Sequence, residues 1–517
     1  MTQAADIAKA VSIATNCLDT GRLPEAEALC RKILELSPND PDALHLLGGV
    51  ADETGNHAAA IELIRKAISF KTSEPFYHGR LAQALQSAKR YDEAIEEYER
   101  ALKIKPDMLA VLMNLGNLLM ERSSFEAAEE WYRRAGKLDP KLALVPYNLG
   151  GLFQAQQKAD KAIAAYTEAL RLDPQHAEAL NNLGIVYKDN GQFDAAMECF
   201  EQGLKIKPDD RRAQCNIGIT SLIQGKWTQG WPLYEWRWEG SEPQTLRPAT
   251  PLPQWTGETS ATGDSLLLFC EQGWGDKLQF ARYIPLAQKK FPAGVSVIIE
   301  APLQDLFRRS FPDVEILKEV PSEQNRWQWH APLMSLPLAF GTTLETIPHA
   351  TPYLAPDAQK VAYWKDKISA LDLNTRKIGI VWKPGKFMKS AKWKALSFQQ
   401  VKPLLELPGL SWFSLLKEPD PEMEAGRLID WSAEFTDFDD TAALMMNMDL
   451  IISVDTSIAH LAGALNLPVW MLNRYASDWR WLWRREDSPW YPSMRIFNQK
   501  TAGDWDDVVR RVMNELA

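Results

Sequence analysis

A 34-residue echo runs through the first 240 residues of this chain and then stops. A Leu-Gly pair at Leu47-Gly48 returns as Leu81-Ala82, Leu115-Gly116, Leu149-Gly150, Leu183-Gly184 and Ile217-Gly218. Small residues keep the same register at Ala26, Ala60, Ala94, Ala128, Ala162 and Ala196, and again at Ala67, Ala101, Ala135, Ala169 and Gly203. Proline closes most units, at Pro38, Pro106, Pro140, Pro174 and Pro208. A chain that repeats this way folds by stacking similar units rather than by closing one core. A repeated surface is a holding device, and the residues after 240 look nothing like it. Two parts imply two jobs.

Each unit reads as two amphipathic helices, with the Leu/Gly block on the first and the later small residues on the second. A turn glycine separates them in several units (Gly21, Gly55, Gly191, Gly225), and the proline, which has no N–H to donate, ends the second helix. The pattern resembles the tetratricopeptide repeat. Six units are expected, at 7–40, 41–74, 75–108, 109–142, 143–176 and 177–210, with a degenerate seventh from Arg211. In such a solenoid the first helices line a concave face. One position on them is Asn114, Asn148, Asn182 and Asn216. A row of amides offers donors and acceptors to the backbone of an extended peptide, as in the repeat-fused O-linked N-acetylglucosamine transferases. The same amides can equally serve to bond one repeat to the next.

Composition is that of a globular protein: 45% hydrophobic and 24% charged residues over 517 residues, enough for two or three domains. A net charge of −10 argues against nucleic acid as a partner. No apolar run reaches membrane-spanning length, and the start, MTQAADIAKAVSIA, lacks the basic region of a signal peptide. The five cysteines are odd in number and lack paired metal spacing, which suits a reduced cytoplasm. Tryptophan marks a boundary: of 20, only Trp131 precedes residue 227. The stretch 225–240, GKWTQGWPLYEWRWEG, reads as a last helix with an aromatic docking face, and 241–263 as a proline-rich linker.

From Asp264 short apolar runs alternate with helices. Strands are expected at 265–270, 295–300, 378–382, 410–416, 449–454 and 467–472, with helices near 397–407, 440–447, 457–465 and 504–516. This order implies parallel sheets with helices on both faces, in two Rossmann-like lobes (264–355 and 356–517) around a cleft. Three segments lie at strand ends. In EQGWGDKLQFARYIPL (271–286), Asp276 is either a catalytic carboxylate or a helix cap. In WKPGKFMKSAKWKALSF (382–398), Lys383, Lys386, Lys389, Lys392 and Lys394 crowd a loop suited to phosphate. In SVDTSIAHLAGALNLPVWML (453–472), Asp455 and Thr456 precede a helix whose free N–H groups attract anions or are capped by those side chains. The acidic run DFDD (437–440) reads as helix capping.

Together with APLMSLPLAFGTTLETIP (331–348) and DWRWLWRREDSPWYPSMRIF (478–497), these segments resemble a GT-B glycosyltransferase of the ADP-heptose:lipopolysaccharide heptosyltransferase type, in a branch fused to tetratricopeptide repeats. The resemblance implies an α-solenoid followed by a two-lobed α/β GT-B fold. It implies Asp276 as general base and Lys392, beside Trp393, on the donor phosphates, with Lys383 and Lys386 near them. It implies Asp455, Thr456 and Ser457 on the donor sugar and phosphates. His460, one helical turn on, reads as a structural histidine rather than a ligand. The reaction would be inverting and metal-independent, with no cofactor and a nucleotide sugar as substrate. The lysine-rich loop departs from the Asn-Pro-x-His pattern of relatives. It suits a more anionic donor such as a CMP-linked nine-carbon acidic sugar (a CMP-nonulosonate), beside ADP- or UDP-sugars. The acceptor expected is a serine or threonine of a captured protein, flagellin first. A glycolipid acceptor, or a scaffold with a degenerate transferase half, are the alternatives.

Overall fold

The computed structural model describes residues 3–240, 247–258, 261, 263–322, 324–385, 391–423 and 428–517. It divides into two compact units, Met1–Leu183 and Gly184–Ala517, the division falling inside the helix Ala177–Asp189.

The first unit is a stack of helix pairs, Gln3–Asp19 with Leu23–Leu36 through Leu144–Ala155 with Ala159–Leu172. Its register explains the Leu-Gly echo. A Cβ on Gly116 would lie 2.5 Å from the Tyr132 ring, and one on Gly150 would lie 2.6 Å from Tyr166. In these two pairs a large ring from the second helix lies directly on the small residue of the first. Where the ring is absent the contact persists, with Ile64 against Gly48. The helix-ending signal also takes a definite form. Ser37, Lys105 and Asp139, each just before a proline, adopt non-helical backbone and end their helices. Lys71 adopts the same conformation with no proline after it, so the stack dictates this turn and proline only favours it. The turn between paired helices is left-handed at Gly21 and Gly55 and equally at Lys89, Ser123 and Gln157, where the sequence shows no glycine. We expect Gly150→Leu to force the Tyr166 ring out of place and destabilise this unit by roughly 1–3 kcal/mol. Urea denaturation followed by circular dichroism checks this, and an unchanged midpoint would refute the packing account.

The second unit opens with the last repeat helices, Phe193–Ile206, Arg211–Ile223 and Trp227–Tyr234. The aromatic face of this segment is buried in the α/β region. Trp227 stacks on Trp490 at 5.0 Å, Trp231 meets Trp479 edge-on, and the Trp231 indole donates to the Thr342 carbonyl at 2.8 Å. The segment expected as a linker differs in its described part. Gln254 pairs with His330 at a sheet edge, and Trp255 is buried against Phe291 and Phe340. Its prolines break helix but still allow an edge strand and a buried ring.

Two parallel sheets follow. The first has order β3-β2-β1-β4, with β1 Leu266–Phe269, β2 Val295–Ile298, β3 Glu315–Leu317 and β4 Trp329–Pro332. The second has order β6-β5-β7-β8-β9, with β5 Arg376–Val381, β6 Leu410–Ser414, β7 Leu450–Val454, β8 Val469–Asn473 and β9 Met494–Asn498. β1 and β7 are buried throughout, as strands covered on both faces must be. Strand order reverses between β1 and β4 and between β5 and β7. Loops leaving those strands part there and leave a crevice. No helix among the described residues is long and apolar enough to cross a membrane.

Candidate functional site

The chemistry gathers where β1, β5 and β7 end. β1 runs into Glu271, Gln272 and the helix Trp274–Phe280, whose first turn carries Asp276. One Asp276 oxygen accepts the Gly273 N–H at 2.9 Å, so the carboxylate does cap its helix. Its other oxygen is ion-paired with Arg480, 204 residues further along the chain. Arg480 lies on the loop after β8. Its guanidinium also meets Asp478 at 2.8 Å and lies over the Trp479 ring at 4.4 Å. Burial works against the Arg480 charge, but Asp276 and Asp478 outweigh it and keep the guanidinium protonated. Burial likewise pushes the Asp478 carboxyl up, and Arg480 and Lys394 pull it well below the usual carboxylate range.

A second cluster forms at the end of β7. Asp455 follows that strand directly and is buried, and Lys394 reaches it at 2.5 Å. Burial pushes the Asp455 carboxyl up, and Lys394 more than reverses this, holding it below its ordinary value. Thr456 caps the helix Ser457–Ala464 by accepting the Ile458 N–H at 3.3 Å, and its hydroxyl lies 3.0 Å from that of Ser453. Thr456 and Ser457 are half-buried at the helix mouth. Between the clusters lies His460, buried, stacked on Trp481 at 5.0 Å and bonded through Nδ1 to the Tyr491 hydroxyl at 3.0 Å. Burial pushes its imidazole down to about 4, so it is neutral at pH 7. Gly275 is small for the sake of this ring: a Cβ there would lie 2.6 Å from it.

At the end of β5, Lys383 pairs with Asp420 at 2.8 Å, and the Trp382 indole donates to the same carboxylate at 2.9 Å. Burial raises the Asp420 carboxyl, while Lys383, the Glu422 N–H and the Trp382 indole lower it further, leaving it below its usual value. Lys386 and Lys389 lie outside the described residues, as does the side chain of Lys392 on the helix Ala391–Lys394. The lysine of this loop that meets the Asp455 end of the crevice is Lys394. Its neighbour-but-one Lys392 stands beside Trp393 and so drew the phosphate role on pattern.

Glu271 was not singled out from the sequence. It is buried, ion-paired to Arg237 at 2.7 Å, and Arg237 also meets Glu235 and Ser335 at 2.6 and 2.8 Å. Burial pushes the Glu271 carboxyl up against the pull of Arg237. Its position two residues past the end of an all-apolar strand was a usable signal. Asp478 and Arg480 belong to the segment 478–497, whose resemblance assigns neither of them a role. In DFDD, Asp437 caps Asp440 at 2.9 Å, while Asp439 and Asp440 pair with Arg309 and Lys360 at 2.9 and 2.7 Å.

The asparagine row is divided in its bonding. In the first unit, Asn148 donates to Asn117 at 2.9 Å and Asn182 to the Tyr147 hydroxyl at 3.2 Å, both across adjacent repeats. Asn114 lines a polar cavity of about 510 Å³ with Asp52, Gln83, Gln86 and Tyr98. In the second unit, Asn216 is half-buried and partnered.

Models of the tetratricopeptide repeat match residues 80–143 and 141–209, and a model of anaphase-promoting complex (cyclosome) subunit 3 matches 19–101. The model of glycosyltransferase family 9 (heptosyltransferase) matches residues 432–506, the stretch that carries Asp455, Thr456, Ser457, His460, Asp478 and Arg480. Protein FlbA of Caulobacter vibrioides is 30% identical over 321 residues, 57% of this chain and 53% of that protein, so the chain spans about half the length of the curated relative it matches. Among solved structures, MamA is 28% identical, covering 30% of this chain and 91% of that one with a TM-score of 0.28. Pseudomonas aeruginosa pilF is 23% identical, covering 39% and 92% with a TM-score of 0.35. The chain is a tetratricopeptide-repeat solenoid followed by a parallel-sheet α/β region with a family 9 match, which supports a glycosyltransferase.

Proposed function

We propose that this chain transfers a sugar from a nucleotide-sugar donor to a serine or threonine of a protein held by the repeats, with inversion and without a metal. The observation that carries the reading is the meeting of Asp276, Arg480, Lys394 and Asp455 at the reversal points of two parallel sheets. Crevices at such points bind nucleotides. A leaving nucleoside phosphate gains charge as its bond to the sugar breaks. Lys394, Arg480 and the N-terminus of Ser457–Ala464 would stabilise that charge more in the transition state than in the ground state. Asp276 would take the proton of the attacking hydroxyl. The buried neutral His460 supports the wall of the site and takes no proton at neutral pH. A donor with a free carboxylate, such as a CMP-nonulosonate, would find further cations in the loop 383–394, and the reaction would run in the cytoplasm.

Purified protein is expected to bind one member of a panel of UDP-, ADP-, GDP- and CMP-sugars. Co-expression with flagellin is expected to add the mass of that sugar to flagellin. Binding to none of the panel would sink the transferase reading and leave a scaffold. Donor hydrolysis with an unmodified protein acceptor would move the acceptor to glycolipid. Replacing Asn114, Asn148 and Asn182 together by alanine is expected to lower acceptor kcat/KM by on the order of tenfold or more, at ~1 kcal/mol per lost bond. Donor hydrolysis should persist. Unchanged acceptor kinetics with a lowered melting temperature would reduce the row to bonding between repeats.

A further inference from the structure

The candidate base is not free to act. One oxygen of Asp276 accepts the Gly273 N–H, and the other is paired with Arg480, whose side chain is only 9% exposed. Two carboxylates hold that guanidinium, Asp276 and, at 2.8 Å, Asp478. A proton delivered to Asp276 in the pair leaves the buried guanidinium with Asp478 alone, and weakening a buried ion pair from one side is unfavourable. A further anion for Arg480 removes that cost and frees Asp276 to accept the acceptor's proton.

The surroundings show what that anion is. Among the described residues, the carboxylates of Asp276, Asp455 and Asp478 meet the cations of Lys394 and Arg480. The Asp455–Lys394 pair and the Asp478–Arg480 pair act on each other electrostatically, and both flank His460. The Asp276 charge also acts on Glu271, Tyr234 and His460. The Nε of Arg480 is buried with no hydrogen-bond partner, so the guanidinium has a donor unused in this arrangement. A guanidinium binds phosphate through two parallel N–H bonds, a geometry a lone aspartate oxygen does not match.

We propose that Arg480 is a positioning residue that couples donor binding to base release: it clamps Asp276 until the phosphate of an arriving nucleotide sugar draws it away. This rests on the transferase reading above. It adds an order of events, with the donor bound before the acceptor hydroxyl can be deprotonated, so that the base is unmasked only in the presence of a donor. Asp276 and the nucleotide then compete for one guanidinium. Removing the aspartate's charge must strengthen nucleotide binding, and must do so only while Arg480 is present, which neither a purely catalytic nor a purely structural Asp276 predicts.

The test is a double-mutant cycle read by calorimetric titration of UDP, ADP, GDP and CMP, with pyrophosphate and inorganic phosphate as the probes lacking a nucleoside. Asp276→Asn keeps an oxygen for the Gly273 N–H and is expected to tighten binding of the accepted nucleotide by roughly fivefold or more, within the range of ordinary coupling energies. Arg480→Gln is expected to weaken binding, and adding Asp276→Asn to it should give no tightening. Arg480→Lys, which keeps the charge without the fork, should raise donor KM more than it lowers kcat. Equal or weaker nucleotide binding by Asp276→Asn, in a wild type that binds, would overturn the coupling and leave the transferase reading standing. A wild type that binds none of these ligands would overturn both.

Discussion

Asp276→Asn should abolish most sugar transfer, lowering kcat by about 10²–10⁴-fold, the range for loss of a general base, while the protein still binds its nucleotide. The effect is large because an asparagine amide cannot take a proton at neutral pH, although its shape and its hold on the Gly273 N–H are retained. The variant therefore separates chemistry from architecture. Single-turnover measurements with donor and protein acceptor check it. Transfer at the wild-type rate would mean that the proton leaves by another route, and buried Glu271, two residues past the end of β1, would be the carboxylate to replace next.

The second large effect is expected in stability. Lys394→Met leaves Asp455 buried without its cation, and breaking a buried pair from one side costs about 3–5 kcal/mol. The double variant Lys394→Met, Asp455→Asn should regain much of that loss, since no unpaired charge remains. The pH dependence has a definite sign. In the wild type the Asp455 carboxyl is held below its unfolded value of about 3.9. Its contribution is present above that value and is lost only as pH falls through the lower folded one. In Lys394→Met burial acts unopposed and raises the carboxyl, so a proton can restore neutrality. The gap in stability between wild type and Lys394→Met should therefore be widest near pH 8 and narrow towards pH 5. Urea titrations at both pH values measure it, and a gap that widens towards acid would refute the pairing account. Donor affinity should fall in the same variant, because Lys394 is the cation that meets Asp455 at the mouth of the helix Ser457–Ala464.

Much of this fold is legible in the chain before any coordinates. The period of 34 places the seven helix pairs, and Arg211 opens the seventh as the spacing predicts. Six strands, including β1, β5 and β7, announce themselves as apolar runs because they are buried on both faces. The strands that escape notice are short or at edges. β3 has three residues, one of them exposed. β4 reads Trp-His-Ala-Pro, a sequence with little strand character of its own, and it is formed by pairing with β1. β9 alternates, with Arg495 between Met494 and Ile496, and lies at the sheet's end. Strand pairing is a tertiary event, and short segments acquire it from neighbours.

What the sequence by itself determined is the stacked-repeat half, the alternating α/β half, and the loops at strand ends where chemistry collects. These follow from local periodicity and from residues that start and stop helices, both written within a few tens of residues. Only the tertiary structure decided which charges meet. It joined Asp276 to Arg480, chose Lys394 for Asp455, put Lys383 against Asp420, and seated Trp255 in the core. Those pairings span up to 204 residues. An ion pair depends on where two backbones converge and how much water is excluded there, and no local pattern of residue types records either.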